Sequence, residues 1–302
     1  MIDFMKKLPF TGSGVAIVTP FNEKNEISYD ELEKLIEMHI KHKTDAIIVC
    51  GTTGEASTMP DDEHLSAVAF TVNKVNGRIP VIAGCGSNDT HHAVTLSKRA
   101  ARFGADALLS VTPYYNKSNK NGLYEHFKMI AESVDLPIIL YNVPSRTGIN
   151  IPIETLKELS SIDNIVAIKE ASGNLGYAAQ VASEVPDLYI YSGNDDVTIP
   201  IMSLGGVGVI SVAANILPEE MHNMCDYYLK GNILNARDIQ LKILDVITKL
   251  FIEVNPVPIK TAMQYLGYDV GNVRMPLGTM QEENFKKLTD ALDKLKIKKV
   301  SE

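Results

Sequence analysis

The sequence predicts an α/β protein, a (β/α)8 TIM barrel with a C-terminal helical appendage. Three observations carry the prediction. Eight short apolar runs of strand character alternate with helical patterns over roughly the first 230 residues, the arithmetic of a parallel barrel. The first run leads into Thr19-Pro-Phe-Asn22, not into the glycine-rich fingerprint that the alternative, an open doubly wound sheet, would carry. After residue 231 the strand patterns stop. Residues 1–231 are therefore expected to form the barrel, and residues 232–302 a helical domain packed on it.

The first expected strand is Gly14-Val-Ala-Ile-Val-Thr19, closed by Pro20. Ser28-Tyr-Asp-Glu31 has capping-box spacing and should open a helix to about His42. Ala46-Ile-Ile-Val-Cys50 reads as the second strand, followed by Gly51-Thr-Thr-Gly-Glu55 and a helix over 60–76. Pro80-Val-Ile-Ala-Gly-Cys85 is the third, with a helix from Thr90 to Phe103 stopped by Gly104. Ala107-Leu-Leu-Ser-Val-Thr112 leads into Pro113-Tyr-Tyr-Asn116, and a helix is expected over 122–133. Pro137-Ile-Ile-Leu-Tyr-Asn142 is the fifth, followed by a loop through Asn150 and a short helix from Pro152. Ile165-Val-Ala-Ile-Lys-Glu170 is the sixth; period-two alternation puts Val166 and Ile168 on one face and Ala167 with Lys169 on the other. Leu188-Tyr-Ile-Tyr-Ser192 and Gly208-Val-Ile-Ser-Val212 complete the set. Leu204-Gly-Gly-Val-Gly208 lacks GxGxxG spacing and reads as a tight helix-to-strand turn. Beyond the barrel, residues 232–252 read as helix, Pro256-Val-Pro258 breaks it, 259–266 resume it, and 282–299 close the chain.

Composition removes several classes of function. The chain of 302 residues is 45% hydrophobic and 22% charged, an ordinary globular balance with enough length for a large core. Its net charge of -8 and scattered cations offer no nucleic-acid footprint, and the basic tail Lys294-Ile-Lys-Ile-Lys-Lys299 reads as a solvated helix end. No apolar run reaches membrane-spanning length, and Met1 to Phe10 lacks the long apolar region of a secretory leader, so a cytoplasmic location is expected. Cys50, Cys85 and Cys225, without CxxC spacing, read as reduced packing thiols. Neither HExxH nor a Cys/His set appears, so no catalytic metal is expected. The histidines fall mostly on expected helices, and His91 and His92, being adjacent, point to different parts of a helix surface. No G-x-S-x-G elbow is present.

In a parallel barrel the chemistry sits at the C-terminal strand ends. There the chain places Thr52 and Thr53, Tyr114 and Tyr115, Tyr141 with Ser145 and Arg146, Lys169, and Ser192 through Asp195. Lys169 has two readings: a packed stem whose ammonium reaches water, or an amine made nucleophilic by desolvation and able to form a Schiff base with a carbonyl. The glycine-flanked threonines form a plain turn or offer amides and hydroxyls to a small carboxylate. Tyr141 is core or a phenol passing a proton along a hydrogen-bonded chain. Tyr114 and Tyr115 are packing or interface residues. Arg146 is a surface ion-pair partner or a bidentate carboxylate clamp.

Taken in order, Gly51-Thr-Thr-Gly-Glu55, Thr112-Pro-Tyr-Tyr-Asn116, Tyr141-Asn-Val-Pro-Ser-Arg-Thr-Gly148 and Ile168-Lys-Glu-Ala-Ser172 resemble the dihydrodipicolinate synthase (4-hydroxy-tetrahydrodipicolinate synthase) family. The resemblance extends to Ser192-Gly193 and Gly208-Val-Ile-Ser211, and so covers essentially the whole chain. It implies a pyruvate-dependent aldolase-type lyase of lysine (diaminopimelate) biosynthesis that needs no cofactor. Lys169 would condense with pyruvate, and the enamine would attack L-aspartate-4-semialdehyde. Thr53, Tyr141 and Tyr115 would form the proton relay, with Tyr115 supplied by a neighbouring subunit. Thr52 and Thr53 would hold the pyruvate carboxylate and Arg146 that of the semialdehyde. Gly193 and Ile210 would line the site through backbone carbonyls. The family implies a homotetramer, a dimer of dimers.

The rival reading in the same superfamily, N-acetylneuraminate lyase, typically has a Ser-Thr pair in place of Thr52-Thr53 and lacks arginine at position 146, so both positions favour the synthase. A non-catalytic small-molecule binding barrel would need a broken relay, yet Lys169, Thr53, Tyr115 and Tyr141 are all present. One departure concerns feedback. Where lysine-inhibited members carry a histidine pair and a glutamate that holds the lysine ammonium, this chain matches at Asn88, His64 and Tyr114, but has Asp61 for one histidine and His92 for the glutamate. Losing such a charge-assisted partner costs about 1.5–3 kcal/mol, so weak or absent lysine inhibition is expected.

Overall fold

Runs of Val, Ile, Leu and Ala that are too short for helices and apolar on both faces suit a parallel sheet filled within and covered outside. In the structure, a computed structural model describing residues 6–300, they become β1 (Gly12–Ala16), β2 (Ala46–Val49), β3 (Val81–Gly84), β4 (Ala107–Val111), β5 (Ile138–Asn142), β6 (Ile165–Glu170), β7 (Tyr189–Ser192) and β8 (Gly208–Ser211). Met1–Met5, part of the stretch read for a leader, and the last two residues of the expected helical domain lie outside the described residues. Each strand pairs in parallel with the next, and β8 returns to β1, so the expected barrel closes. Closure depends on Gly208. It pairs with Gly12, and a Cβ there would fall 1.9 Å from the Gly12 carbonyl oxygen.

Around and beyond the barrel run α1 (Tyr29–Lys41), α2 (Asp61–Val75), α3 (Thr90–Arg102), α4 (Lys120–Ala131), α5 (Pro144–Thr147), α6 (Ile153–Ser160), α7 (Leu175–Glu184), α8 (Thr198–Ser203), α9 (Pro218–Leu229), α10 (Ile233–Lys249), α11 (Val257–Tyr265) and α12 (Glu282–Leu295). The last three are the expected C-terminal helices, α10 packing on both α9 and α12. The structure adds α5 inside the expected loop, and bounds α7, α8 and α9, helices for which the sequence reading gave no limits.

Two local expectations are corrected. Ser28 does precede α1, but its side chain makes no capping bond. Its N–H already donates to Pro20 O at 2.9 Å, and Glu31 is paired with Lys34, so the reciprocal half of a capping box has neither partner free. In β6 the alternation breaks. Ile138 pairs with Ile165 but Ile139 pairs with Ala167, so Val166 is an extra residue. It joins Ala167 in the barrel-interior cluster, while Ile165 and Ile168 face the helices.

The interior cluster (Ile48, Ile82, Leu109, Ile139 and Tyr191 among others) is separate from the larger layer between strands and helices. Phe10 closes its lower end, its ring stacked on Tyr191 at 4.6 Å and its carbonyl accepting the Tyr191 hydroxyl. All three cysteines are free and buried. Among the described residues no helix is long and apolar enough to cross a membrane.

Two histidines lie in this packing as neutral rings. Burial pushes His39 from 6.5 to about 3 and His126 from 6.5 to about 4. In the unfolded chain both take a proton near 6.5, so the stability they contribute is present above that pH and is lost as pH falls toward their folded values. Between pH 6.5 and 4.5, His39 should account for a loss of about 2–3 kcal/mol. Urea unfolding of His39→Leu should show a flatter acid limb by that amount; a profile parallel to the parent's would refute this assignment.

Candidate active site

Parallel pairing brings three strand ends into one row. Tyr141 of β5 is in register with Lys169 of β6, and Lys169 with Tyr191 of β7. Lys169 is only 5% exposed, and its Nζ lies 4.4 Å from the centroid of the Tyr141 ring. The contact is of the cation–π type, with the amine over the face of the ring. No hydrogen bond or ion pair with another described residue engages that nitrogen, which borders a cavity of about 380 Å³.

The loop after β2 forms the facing wall. Its flanks, Cys50 and Glu55, are held at φ 55° and 58°, a left-handed conformation that side chains disfavour. Between them Thr53 is buried, and its Oγ1 accepts a hydrogen bond from Asn255 Nδ2 at 2.9 Å. That donation occupies a lone pair on the hydroxyl and leaves its proton free to point elsewhere. Thr19 Oγ1 donates to Gly54 O at 2.7 Å. Arg146, carried on α5, donates from Nη2 to Asn255 O at 2.9 Å, so one asparagine touches both Thr53 and Arg146.

Of the residues singled out in the sequence, Thr52, Thr53, Tyr141, Ser145, Arg146, Lys169, Gly193 and Asn194 border the cavity. Others do not. Ile210 is fully buried among the barrel-interior side chains and is not part of the cavity wall. Tyr115 stands outside, 93% exposed with φ 69°. Tyr114 borders a second cavity of about 400 Å³ beside Ser87, His64, His92 and Asp61; Thr52, Tyr141 and Arg146 border both. In that second cavity His92 is engaged on both nitrogens, Nε2 with Asp61 Oδ1 at 2.9 Å and Nδ1 with Ser87 Oγ at 3.0 Å.

The sequence reading missed Ile247, Thr248, Phe251 and Asn255, which wall the cavity from the C-terminal region. Their one signal was the Asn255-Pro256 step beside the helix break. Among the described residues no cluster of His, Cys, Asp and Glu is placed to hold a metal ion.

Two buried carboxyls brace the strand ends. Glu170 Oε2 accepts from Asn142 Nδ2 and Oε1 from Ser172 N, both at 2.6 Å. Asn142 also donates to Asn150 Oδ1 at 2.6 Å and accepts from Ile151 N at 3.1 Å, which ties down the segment carrying Arg146. Asp195 Oδ2 accepts from the amides of Val212 and Ala213 at 3.0 and 2.9 Å, linking the ends of β7 and β8. Burial pushes both carboxyls above the usual range. Hydrogen bonds oppose it in each, and for Asp195 the Lys169 charge adds to them.

Known proteins resemble this chain along almost its whole length. The model of the dihydrodipicolinate synthetase family matches residues 9–295. The 4-hydroxy-tetrahydrodipicolinate synthase of Caldicellulosiruptor saccharolyticus is 58% identical over 283 residues, 94% of this chain and 96% of that one. The dihydrodipicolinate synthase of Acinetobacter baumannii, solved with pyruvate, is 42% identical with a TM-score of 0.92, covering 95% of this chain and 99% of that one. The enzyme of Cyanidioschyzon merolae, solved with lysine bound, is 39% identical with a TM-score of 0.93, covering 96% and 100%.

The brace can be tested without any substrate. Asn142→Ala removes a donor from a buried carboxylate and an acceptor from a buried amide, and should destabilise the fold by about 2–3 kcal/mol. Guanidinium unfolding with an unchanged m-value reads this directly. A loss within error of zero would mean that water replaces the network.

Proposed function

The chain belongs to the dihydrodipicolinate synthetase family, whose members are lyases that form a Schiff base with pyruvate, and from that premise we propose which side chains carry the reaction. The reaction is that of 4-hydroxy-tetrahydrodipicolinate synthase, condensation of pyruvate with L-aspartate-4-semialdehyde on the diaminopimelate route to lysine. The observation that carries the residue assignment is the buried Lys169 amine, free of ion pairs with described residues, at the wall of a cavity shared with Thr53, Tyr141 and Arg146. Lys169 Nζ attacks the ketone carbon of pyruvate, and the ketone oxygen leaves as water. Loss of a methyl proton from the imine gives the enamine, with the imine nitrogen as electron sink. The enamine carbon attacks the aldehyde carbon of the second substrate, whose oxygen takes a proton. The amino group of that substrate then adds to the re-formed imine carbon and expels Lys169 Nζ, which closes the ring and frees the lysine. No metal or external cofactor enters these steps.

Thr53 and Tyr141 pass the protons, and the Asn255 bond to Thr53 Oγ1 directs the threonine proton away from the asparagine. Thr52 and Thr53 hold the pyruvate carboxylate, and Arg146 takes that of the semialdehyde. Gly193 and Ile210 are assigned backbone contacts, Gly193 from the cavity wall and Ile210 from the strand beneath it. Tyr115 completes the relay in a neighbouring subunit. An aromatic side chain 93% exposed on a left-handed backbone, outside its own cavity, supports that reading. The family reading further implies a homotetramer, a dimer of dimers, acting in the cytoplasm. Residues 1–231 form the catalytic barrel in this reading, and residues 232–302 an appendage.

Borohydride reduction in the presence of pyruvate should add one reduced pyruvyl unit to the parent and none to Lys169→Ala, whose turnover should fall by roughly 10³-fold or more. Trapping retained in the variant would move the Schiff base elsewhere. His92 stands where lysine-inhibited members carry the glutamate that receives the lysine ammonium, and its Nε2 is engaged with Asp61, which replaces a histidine, so inhibition by lysine should be weak or absent. A titration showing strong inhibition at sub-millimolar lysine would overturn that.

A further inference from the structure

The Thr52-Thr53 loop is held by groups far away in the chain. Glu55 ends it, almost fully buried. Its Oε1 accepts from Lys260 Nζ at 2.9 Å, and its Oε2 from the backbone N–H of Arg274 at 2.8 Å. Lys260 belongs to α11, is 2% exposed, and also donates to Asn272 O at 3.0 Å. The Arg274 side chain turns back toward the barrel and pairs with Glu63 of α2, its Nη2 reaching Glu63 Oε1 at 2.7 Å. Both cations lie over the Phe21 ring, Lys260 Nζ at 4.2 Å and Arg274 Cζ at 4.0 Å. Thus both carboxylate oxygens of Glu55 are committed to the C-terminal region, and the carboxylate sits two residues from Thr53.

A single charged pair in so dry a place is weak evidence for stability, because desolvation opposes the attraction. Its geometry points to another use. The loop is bounded by Cys50 and Glu55 in left-handed conformations, and such backbone persists only where its surroundings over-determine it. We propose that Glu55, clamped by Lys260 and Arg274, is a positioning residue that holds the Thr52-Thr53 loop in the form that receives the pyruvate carboxylate. This rests on the assignment of that loop under the proposed function. The C-terminal helices then set the affinity for one of the two substrates. Arg146, carried on α5 and tied to the backbone oxygen of Asn255, keeps its handling of the other.

The test compares the parent with E55Q/K260M, which removes both charges and so leaves no unpaired ion buried. For each protein the melting temperature, borohydride trapping with pyruvate, and KM for each substrate are measured well below the melting transition. The expected result is a pyruvate KM raised at least tenfold, a semialdehyde KM within twofold, and full trapping at saturating pyruvate. A lowered melting temperature with both KM values unchanged marks a purely structural pair and overturns the proposal. Should the double variant not fold, Glu55→Gln alone keeps the side chain's shape and Lys260 bonded to Asn272 O, and the same KM comparison decides. A parent that pyruvate does not trap removes the reaction assignment and the proposal together. A trapped parent with unchanged variant KM values removes the proposal alone.

Discussion

Everything at the barrel mouth depends on the register that aligns Tyr141, Lys169 and Tyr191 across three parallel strands. Parallel strands end on one face, so side chains from different strands converge there without any loop having to bring them. The extra residue Val166 sets the phase of β6. After it, Ala167 and Lys169 point into the barrel, and the lysine amine lies where the apolar interior meets the cavity. Burial of that amine is tolerable because the Tyr141 ring covers it and the cavity leaves it a free side.

The barrel alone builds only half of the site. The other half is pulled into place by the chain beyond α9, where Asn255 contacts both Thr53 and Arg146, and Lys260 with Arg274 hold Glu55. The same loop carries two left-handed residues, a conformation with an intrinsic penalty for side-chain-bearing residues, so it requires partners that a turn of four residues cannot supply itself. Residues 255–274 contact this loop at Thr53 and at Glu55. A tail that looks like an appendage in the sequence is therefore a wall of the cavity and a brace of the loop beside it.

How far each feature was legible depended on the range of the interaction behind it. Lys169 was legible because a β-branched run ends there, a pattern within six residues. The side on which Val166 falls was not, since a bulge is a property of pairing with β5 and leaves no local mark. Ser28 had the spacing of a cap, but Pro20 O takes the N–H that the capping box needs. Phe251 and Asn255 read as the end of a helix and the start of a break, and only their approach to the β2 loop makes them part of the cavity. Tyr115 was picked from its motif, and its exposure outside its own cavity could not be read from neighbouring residues.

By itself the sequence determined the architecture, the lysine at the barrel mouth and most of the polar groups around it. Strand length, alternation and the residue at each strand end are local quantities, and a parallel barrel turns them into position by rule. Tertiary structure alone decided which groups share a cavity, which way the Thr53 hydroxyl can donate, and what holds the strained loop. Those depend on contacts between residues about two hundred positions apart, such as Thr53 with Asn255 and Glu55 with Lys260. Nothing in the local chemistry of either partner specifies the other until the chain has closed.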